Sequence, residues 1–216
     1  MLVTGFADSA IRMAARQRPT VLLNRPMTDV PSLVTDNVGD MRAAIGHLAE
    51  LGHRTVAYAA GPEASWADGM QWQAVRKVAA EYGIRARRIG PFPPTFAGGR
   101  AAAVAFGDKP TTSVIGYNDL MSIGLMRELT RQGASVPDDV SIIGFDDISD
   151  AALCSPSLTT VAAPLELLGR AAVETPLAQT SRCSAVAARS AMLPADLVVR
   201  GSAGPRGARP ALSTAV

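Results

Sequence analysis

Short apolar runs alternate with amphipathic helical stretches along most of this chain, and that alternation limits the possible folds more than any other feature. Residues 20–23 (TVLL), 55–59 (TVAYA), 113–117 (SVIGY) and 141–145 (SIIGF) read as strands buried on both faces. Helical stretches lie at 9–17, 37–51, 71–82, 100–106 and 119–132, and Gly52, Gly83 and Gly133 supply stop signals. Repeated strand–helix–strand units require parallel sheets with crossover helices on their faces, an α/β fold. Further extended segments are expected at 32–35, from 88 to 89, at 159–162 and at 193–200. Residues 2–4 also read as a strand, and its neighbours are expected upstream.

Composition narrows the function classes. The 216 residues are 48% hydrophobic and 19% charged, with a net charge of +2, ordinary for a globular α/β protein and low for a compact nucleic-acid-binding domain. Arg85, Arg87 and Arg88 form the densest basic cluster, which reads as a solvated helix-to-strand loop rather than a phosphate footprint. Cys154 and Cys183 lack metal-ligand spacing, so free thiols in a reducing compartment are expected. No signal-peptide pattern and no membrane-spanning apolar run is visible, and a cytoplasmic protein without a membrane partner is expected. The stretch 203–216, rich in Gly, Pro, Ser and Ala, is expected to be a disordered tail.

Ligands of open parallel sheets bind beyond the carboxyl ends of the strands, so the residues there are the site candidates. SVIGY leads into Asn118-Asp119, either helix caps or groups facing a ligand hydroxyl. SIIGF leads into Asp146-Asp147, either a solvated turn or a carboxylate accepting from vicinal hydroxyls. TVAYA leads into residues 61–68, where Trp66 either packs under the loop or stacks on a ligand's C–H face. Phe92 and Phe96 follow the segment at 89, and Asn24-Arg25 follow TVLL. Together these ends describe a polar and aromatic cleft for a carbohydrate or similar neutral molecule.

Several motifs resemble the LacI/GalR family of bacterial regulators: Val30-Pro31-Ser32 with Asp36-Asn37, Leu51-Gly52-His53-Arg54, and Ala60-Gly61-Pro62. The stretches 117–124 (YNDLMSIG), 136–148 (VPDDVSIIGFDDI), 156–160 (PSLTT) and 193–202 extend the likeness almost end to end. The resemblance implies a two-lobed, periplasmic-binding-protein-like fold with an effector in the cleft, three crossovers, homodimerisation, and an allosteric link to operator DNA. By analogy, residues 1–35 and 159–190 form the headpiece-proximal lobe, and 36–158 with 191–202 form the effector-binding lobe. Asn24, Asn118 and Asp146 match family ligand contacts, while Trp66 and Phe92 lie in loops that supply others. The chain departs from the family pattern in having no helix-turn-helix or hinge helix, and its N-terminal lobe is expected to be incomplete. Gly69 stands where an effector-binding arginine is expected, and 175–190 lack the expected apolar helix pattern.

The leading expectation is therefore the sugar-sensing domain of a transcription regulator, without its DNA-reading head. A stand-alone sugar-binding protein and a non-functional or DNA-free fragment are the alternatives. An enzyme is not expected, because no Ser/His/Asp set, P-loop, metal cluster or cofactor motif appears, and His47 and His53 flank one helix end.

Overall fold

A computed structural model describes residues 7–180 and 191–207. The strand expected at residues 2–4, and Cys183, lie outside them. The described chain divides into two compact units, Met1–Asp36 with Pro164–Ala195 and Asn37–Ala163 with Asp196–Val216.

In the first unit, helix α1 (Asp8–Gln17) precedes strands β1 (Leu22–Leu23) and β2 (Ser32–Thr35), and helix α7 (Leu165–Thr180) precedes β8 (Ala191–Leu193). The three strands are parallel in the order β1-β2-β8. Ile11 packs with Leu22 and Val30, and Leu168 packs with Val21 and Leu33, so each helix covers part of the small sheet.

The second unit holds α2 (Asn37–Glu50), β3 (Thr55–Ala59), α3 (Trp66–Glu81), β4 (Arg85–Ile89), α4 (Phe96–Gly107), β5 (Ser113–Gly116) and α5 (Asp119–Arg131). It continues through β6 (Ser141–Phe145), α6 (Ser149–Leu153), β7 (Thr159–Ala162) and β9 (Asp196–Val198). Its six strands run in the order β4-β3-β5-β6-β7-β9, all parallel except β9, which is antiparallel to β7. Alternate strand residues serve opposite faces. Ala57, Ala59, Val114 and Ile142 meet Ala102, Phe106, Met121, Leu125 and Leu129 of α4 and α5 on one side. Tyr58 stacks on Trp72 of α3 on the other, with ring centroids 5.9 Å apart. Helices on both faces explain why β5 and β6 are buried at every position.

Small residues let α4 and α5 meet backbone to backbone. A Cβ on Gly99 would lie 2.0 Å from Met121 O, and one on Gly124 would lie 2.1 Å from Phe96 O.

Four expectations need correction. Residues 85–89 are not a loop: β4 pairs with β3 from Thr55↔Arg85 to Ala59↔Ile89, and within this basic edge strand Arg88 pairs with the buried Asp68 while Arg87 lies over the Phe106 ring. Helix α3 begins at Trp66, not at 71, because the Ser65 hydroxyl caps it by accepting from Asp68 N at 3.2 Å. The chain leaves the larger unit after Ala163 and returns after Ala195, rather than crossing near 158 and 191. Pairing decides this: β7 joins β6, whereas β8 joins β2.

The fourth concerns the tail, whose described part is packed. Just before it, Ser202 is fully buried; its Oγ accepts from Thr159 N at 2.8 Å and donates to Ile142 O at 2.6 Å. His53 Nε2 lies 3.0 Å from Ser141 Oγ and 3.1 Å from Gly204 O, and Arg206 N donates to Leu51 O. Residues 208–216 lie outside the described part.

Candidate functional site

The carboxyl edge of the six-stranded sheet collects four of the five predicted residues. Trp66 follows β3, Phe92 follows β4, Asn118 follows β5 and Asp146 follows β6. Asn24 belongs to the smaller unit, where it follows β1.

Two glycines build the central part of this edge. A Cβ on Gly116 would lie 2.1 Å from Ser122 Oγ, and one on Gly144 would lie 2.0 Å from Asp119 Oδ1. The penultimate position of each strand motif thus leaves room for a polar side chain from the first turns of α5. Asp119 uses that room as a structural group. It is fully buried and accepts from Thr160 Oγ1 at 2.6 Å and from Ile148 N at 2.9 Å, linking β5, β6 and β7. Burial pushes its carboxyl above the ordinary range, while these hydrogen bonds pull the other way.

Asn118 caps α5. Its Oδ1 accepts from Met121 N at 3.0 Å, and its Nδ2 donates to Pro94 O at 3.2 Å. Capping therefore accounts for the side-chain position; one amide hydrogen and one lone pair remain for another partner.

Asp146 and Asp147 share a backbone of positive φ, 111° and 57°, but differ in what they touch. Asp147 pairs with Arg200 at 2.6 Å. Asp146 donates its backbone N–H to Val161 O, yet its half-buried carboxyl meets no hydrogen-bond donor among the described residues. Burial, followed by the charge of Asp119, raises it to about 7.

The flank near β3 carries a network that sequence reasoning missed. Asp68 is 2% exposed; its Oδ1 accepts from Gly61 N at 2.7 Å and its Oδ2 from Arg88. Tyr58 Oη lies 2.9 Å from both Asp68 Oδ1 and Gln71 Oε1. One phenolic hydrogen cannot serve two acceptors, so the carboxylate takes it and the Gln71 amide turns its NH2 toward the phenolic oxygen. Burial, reinforced by Asp68, pushes the Tyr58 phenol well above its ordinary range. The Tyr117 ring lies over Gly61, where a Cβ would come within 2.6 Å, and its hydroxyl is 3.1 Å from Ser65 Oγ. Ser65 spaced three residues before Asp68 was the visible signal, a weak capping pattern. Trp66, the first residue of α3, is half-buried beside this network. Phe92 is also half-buried: it packs on the core below, and its N–H donates to Ala60 O.

Asn24 takes a left-handed φ of 52° and accepts from Thr35 N at 3.2 Å, closing the end of β1 onto β2. Gly69 is exposed with open space around it. Among the described residues no three His, Cys, Asp or Glu side chains are grouped as a metal ion would require. No helix among them is long and apolar enough to cross a membrane.

Residues 45–203 match the family described as periplasmic binding protein-like domain. The chain is a periplasmic binding protein-like domain of the LacI/GalR family. It is 34% identical over 199 residues to the HTH-type transcriptional regulator MalR of Streptomyces coelicolor, covering 88% of this chain and 58% of that protein. It is 32% identical over 201 residues to the HTH-type transcriptional repressor CytR of Escherichia coli, covering 90% and 59%. The chain thus spans less than two thirds of these curated relatives. A LacI regulator from a Rhodococcus species superposes with a TM-score of 0.85 at 26% identity, over 94% of this chain and 76% of that one. A LacI family regulator from Enterococcus faecium, solved with bound ribose, gives 0.81 at 27% identity over 92% and 76%. A dimeric Lac repressor with a C-terminal deletion gives 0.77 at 25% identity over 86% and 69%.

Proposed function

We propose that this chain is the effector-sensing domain of a LacI-type transcription regulator, and that its effector, a sugar or similar polyol, binds at the carboxyl edge of the six-stranded sheet. The carrying observation is Asp146: a half-buried carboxyl at the end of a central strand, with no donor of its own among the described residues. Vicinal hydroxyls are suited to supply the missing donors. Trp66 and Phe92 offer apolar faces for the sugar's C–H surface, and Asn118 offers an amide hydrogen. The ribose-bound relative supports this choice of ligand class.

In this reading the site binds and does not catalyse, and the protein works in the cytoplasm. Effector binding shifts an equilibrium between conformations that differ in affinity for operator DNA, which is read by a helix-turn-helix head of the kind the relatives' names record.

A homodimer is part of the same proposal. Phe96, Ile123 and Leu153, together with the charged Arg100, Arg127, Glu128 and Arg131, line a groove of about 830 Å³ on the face formed by α4, α5 and α6, and Leu153 is 83% exposed. The exposed Leu153 and Phe96 favour burial against a second copy, and a relative of this fold is a dimer.

The experiment is a thermal shift with D-ribose, cellobiose and a wider set of neutral sugars on the wild type and on Asp146→Ala. Loss of the shift in the variant is expected. A sugar that stabilises both proteins equally would remove Asp146 from the site.

A further inference from the structure

We infer that Asp68 is a positioning residue of the effector site: its buried carboxylate ties the ends of β3, β4 and α3 together, and so fixes Trp66, Phe92 and Asn118 before any ligand arrives. The inference rests on reading this edge as the effector site, and it adds a side chain that acts without touching the effector.

The loops of this flank meet at three consecutive residues where β3 ends. Ala59 O accepts from Tyr117 N at 2.9 Å, Ala60 O accepts from Phe92 N at 3.0 Å, and Gly61 N donates to Asp68 Oδ1 at 2.7 Å. Each tie reaches one candidate contact. Tyr117 precedes Asn118, Phe92 is itself a candidate, and Asp68 lies in the first turn of the helix that Trp66 begins. Two of the ties join backbone to backbone, which almost any side chain would allow. The third depends on the side chain at position 68.

Asp68 also gathers the strands. Its Oδ1 accepts from Tyr58 Oη at 2.9 Å, its Oδ2 accepts from Arg88 at 2.5 Å, and the residue is 2% exposed. Tyr58 and Arg88 face each other across the β3–β4 register, so one carboxylate closes a junction of two strands and a helix. Buried, it has no water to replace a lost donor, and breaking such a pair is costly. A second link runs to α5. Ser65 Oγ accepts from Asp68 N at 3.2 Å and lies 3.1 Å from Tyr117 Oη, while the Tyr117 ring closes over Gly61.

Trp66 and Phe92 are half-buried, so stacking on a ligand requires their exposed faces to be held at a fixed angle. Gly69, exposed with open space around it, gives the first turn of α3 no packing there, which leaves Asp68 as its anchor. A site ordered in advance spares the effector the entropy loss of ordering it. Releasing one or two side chains should weaken binding by about tenfold.

The test uses the full chain with Trp72→Phe, which keeps a ring on Tyr58 and leaves Trp66 as the sole tryptophan. Asp68→Asn turns an amide NH2 toward Arg88 and unties β4; adding Arg88→Gln restores a donor–acceptor pair. His53→Gln, at the amino end of the sheet, serves as a destabilised control remote from the junction. Acrylamide quenching of Trp66 is read in the unliganded chain, and affinity for D-ribose, cellobiose and further neutral sugars is read by calorimetry. Asp68→Asn is expected to raise the quenching and weaken sugar binding by about tenfold. Arg88→Gln in the same chain should bring both back to within about twofold, and His53→Gln should move neither. If Asp68→Asn does not fold, Arg88→Met carries the same readings, because it unties β4 while leaving Asp68 with Gly61 and Tyr58. Unchanged quenching, a freed Trp66 with affinity intact, or an equal loss of affinity in His53→Gln overturns this inference and leaves the sensing function standing. Silence from every sugar overturns the sensing function and this inference together.

Discussion

Asp146 combines three costs at one position: a left-handed backbone, partial burial, and a carboxyl without a donor among the described residues. Residues carrying such costs cluster at functional sites, where a ligand repays what the fold does not. The pH consequence follows from its titration near 7, against 3.8 for a free aspartate. The folded state holds the proton more tightly than the unfolded chain, so the stabilisation is fully present below about 3.8 and is lost as pH rises through 7. Asp146→Asn should therefore raise stability at pH 8 by about 1–2 kcal/mol, after allowance for solvent screening. At pH 4 it should change little. Urea denaturation at the two pH values measures both; an equal effect at each would mean the carboxyl is not the cause. Gly61 is the second residue with a clear consequence. A methyl group there collides with the Tyr117 ring, so Gly61→Ala should cost roughly 1–3 kcal/mol and weaken sugar binding together.

At the level of elements, the α4–α5 contact depends on glycine against backbone, which cannot move aside like a side chain. Gly124→Ala should cost about 3 kcal/mol, at the upper end for overpacked cores, and should lower the urea midpoint accordingly. The amino end of the sheet depends instead on His53, which joins Thr112, Ser141 and the buried return of the chain at Gly204. Burial lowers its titration below 6.5, so the unfolded chain takes up the proton first. Its stabilisation is complete above pH 6.5 and declines as pH falls through the depressed value; His53→Gln should flatten that acid limb in a stability–pH profile. Much at this scale was legible in the sequence. The strands 55–59 and 141–145 coincide with β3 and β6, because continuous apolar runs between glycine stops have few alternatives. The start of α3 was not legible, since its cap is a common serine. Nor was the partner of Asn118, whose capping and ligand-facing readings differ only in geometry. The Asp68–Arg88 pair joins residues whose juxtaposition only β3–β4 pairing creates.

For the molecule as a whole, the two units are unequally built. The described buried apolar side chains of the smaller unit are Ile11, Val21, Leu22, Val30, Leu33 and Leu168, against a far larger set in the other. Backbone amides of β2 should exchange with solvent faster than those of β5 and β6, by one or more orders of magnitude, in native-state hydrogen exchange. Equal protection would mean the units open as one. The assignment of strands to units escaped sequence reading because it rests on long-range pairing, as when Thr35↔Leu193 joins one sheet and Ala162↔Asp196 the other. That last pair carries a practical corollary. The excursion through residues 164–195 departs from β7 and returns on β9, its immediate antiparallel neighbour, so both cut ends lie side by side. A two-residue Asn-Gly turn is the natural graft across such a gap. The larger unit is in that sense excisable: residues 37–162 and 196–207, spliced by a short turn, would form a miniature carrying the whole six-stranded sheet and the Asp146 edge.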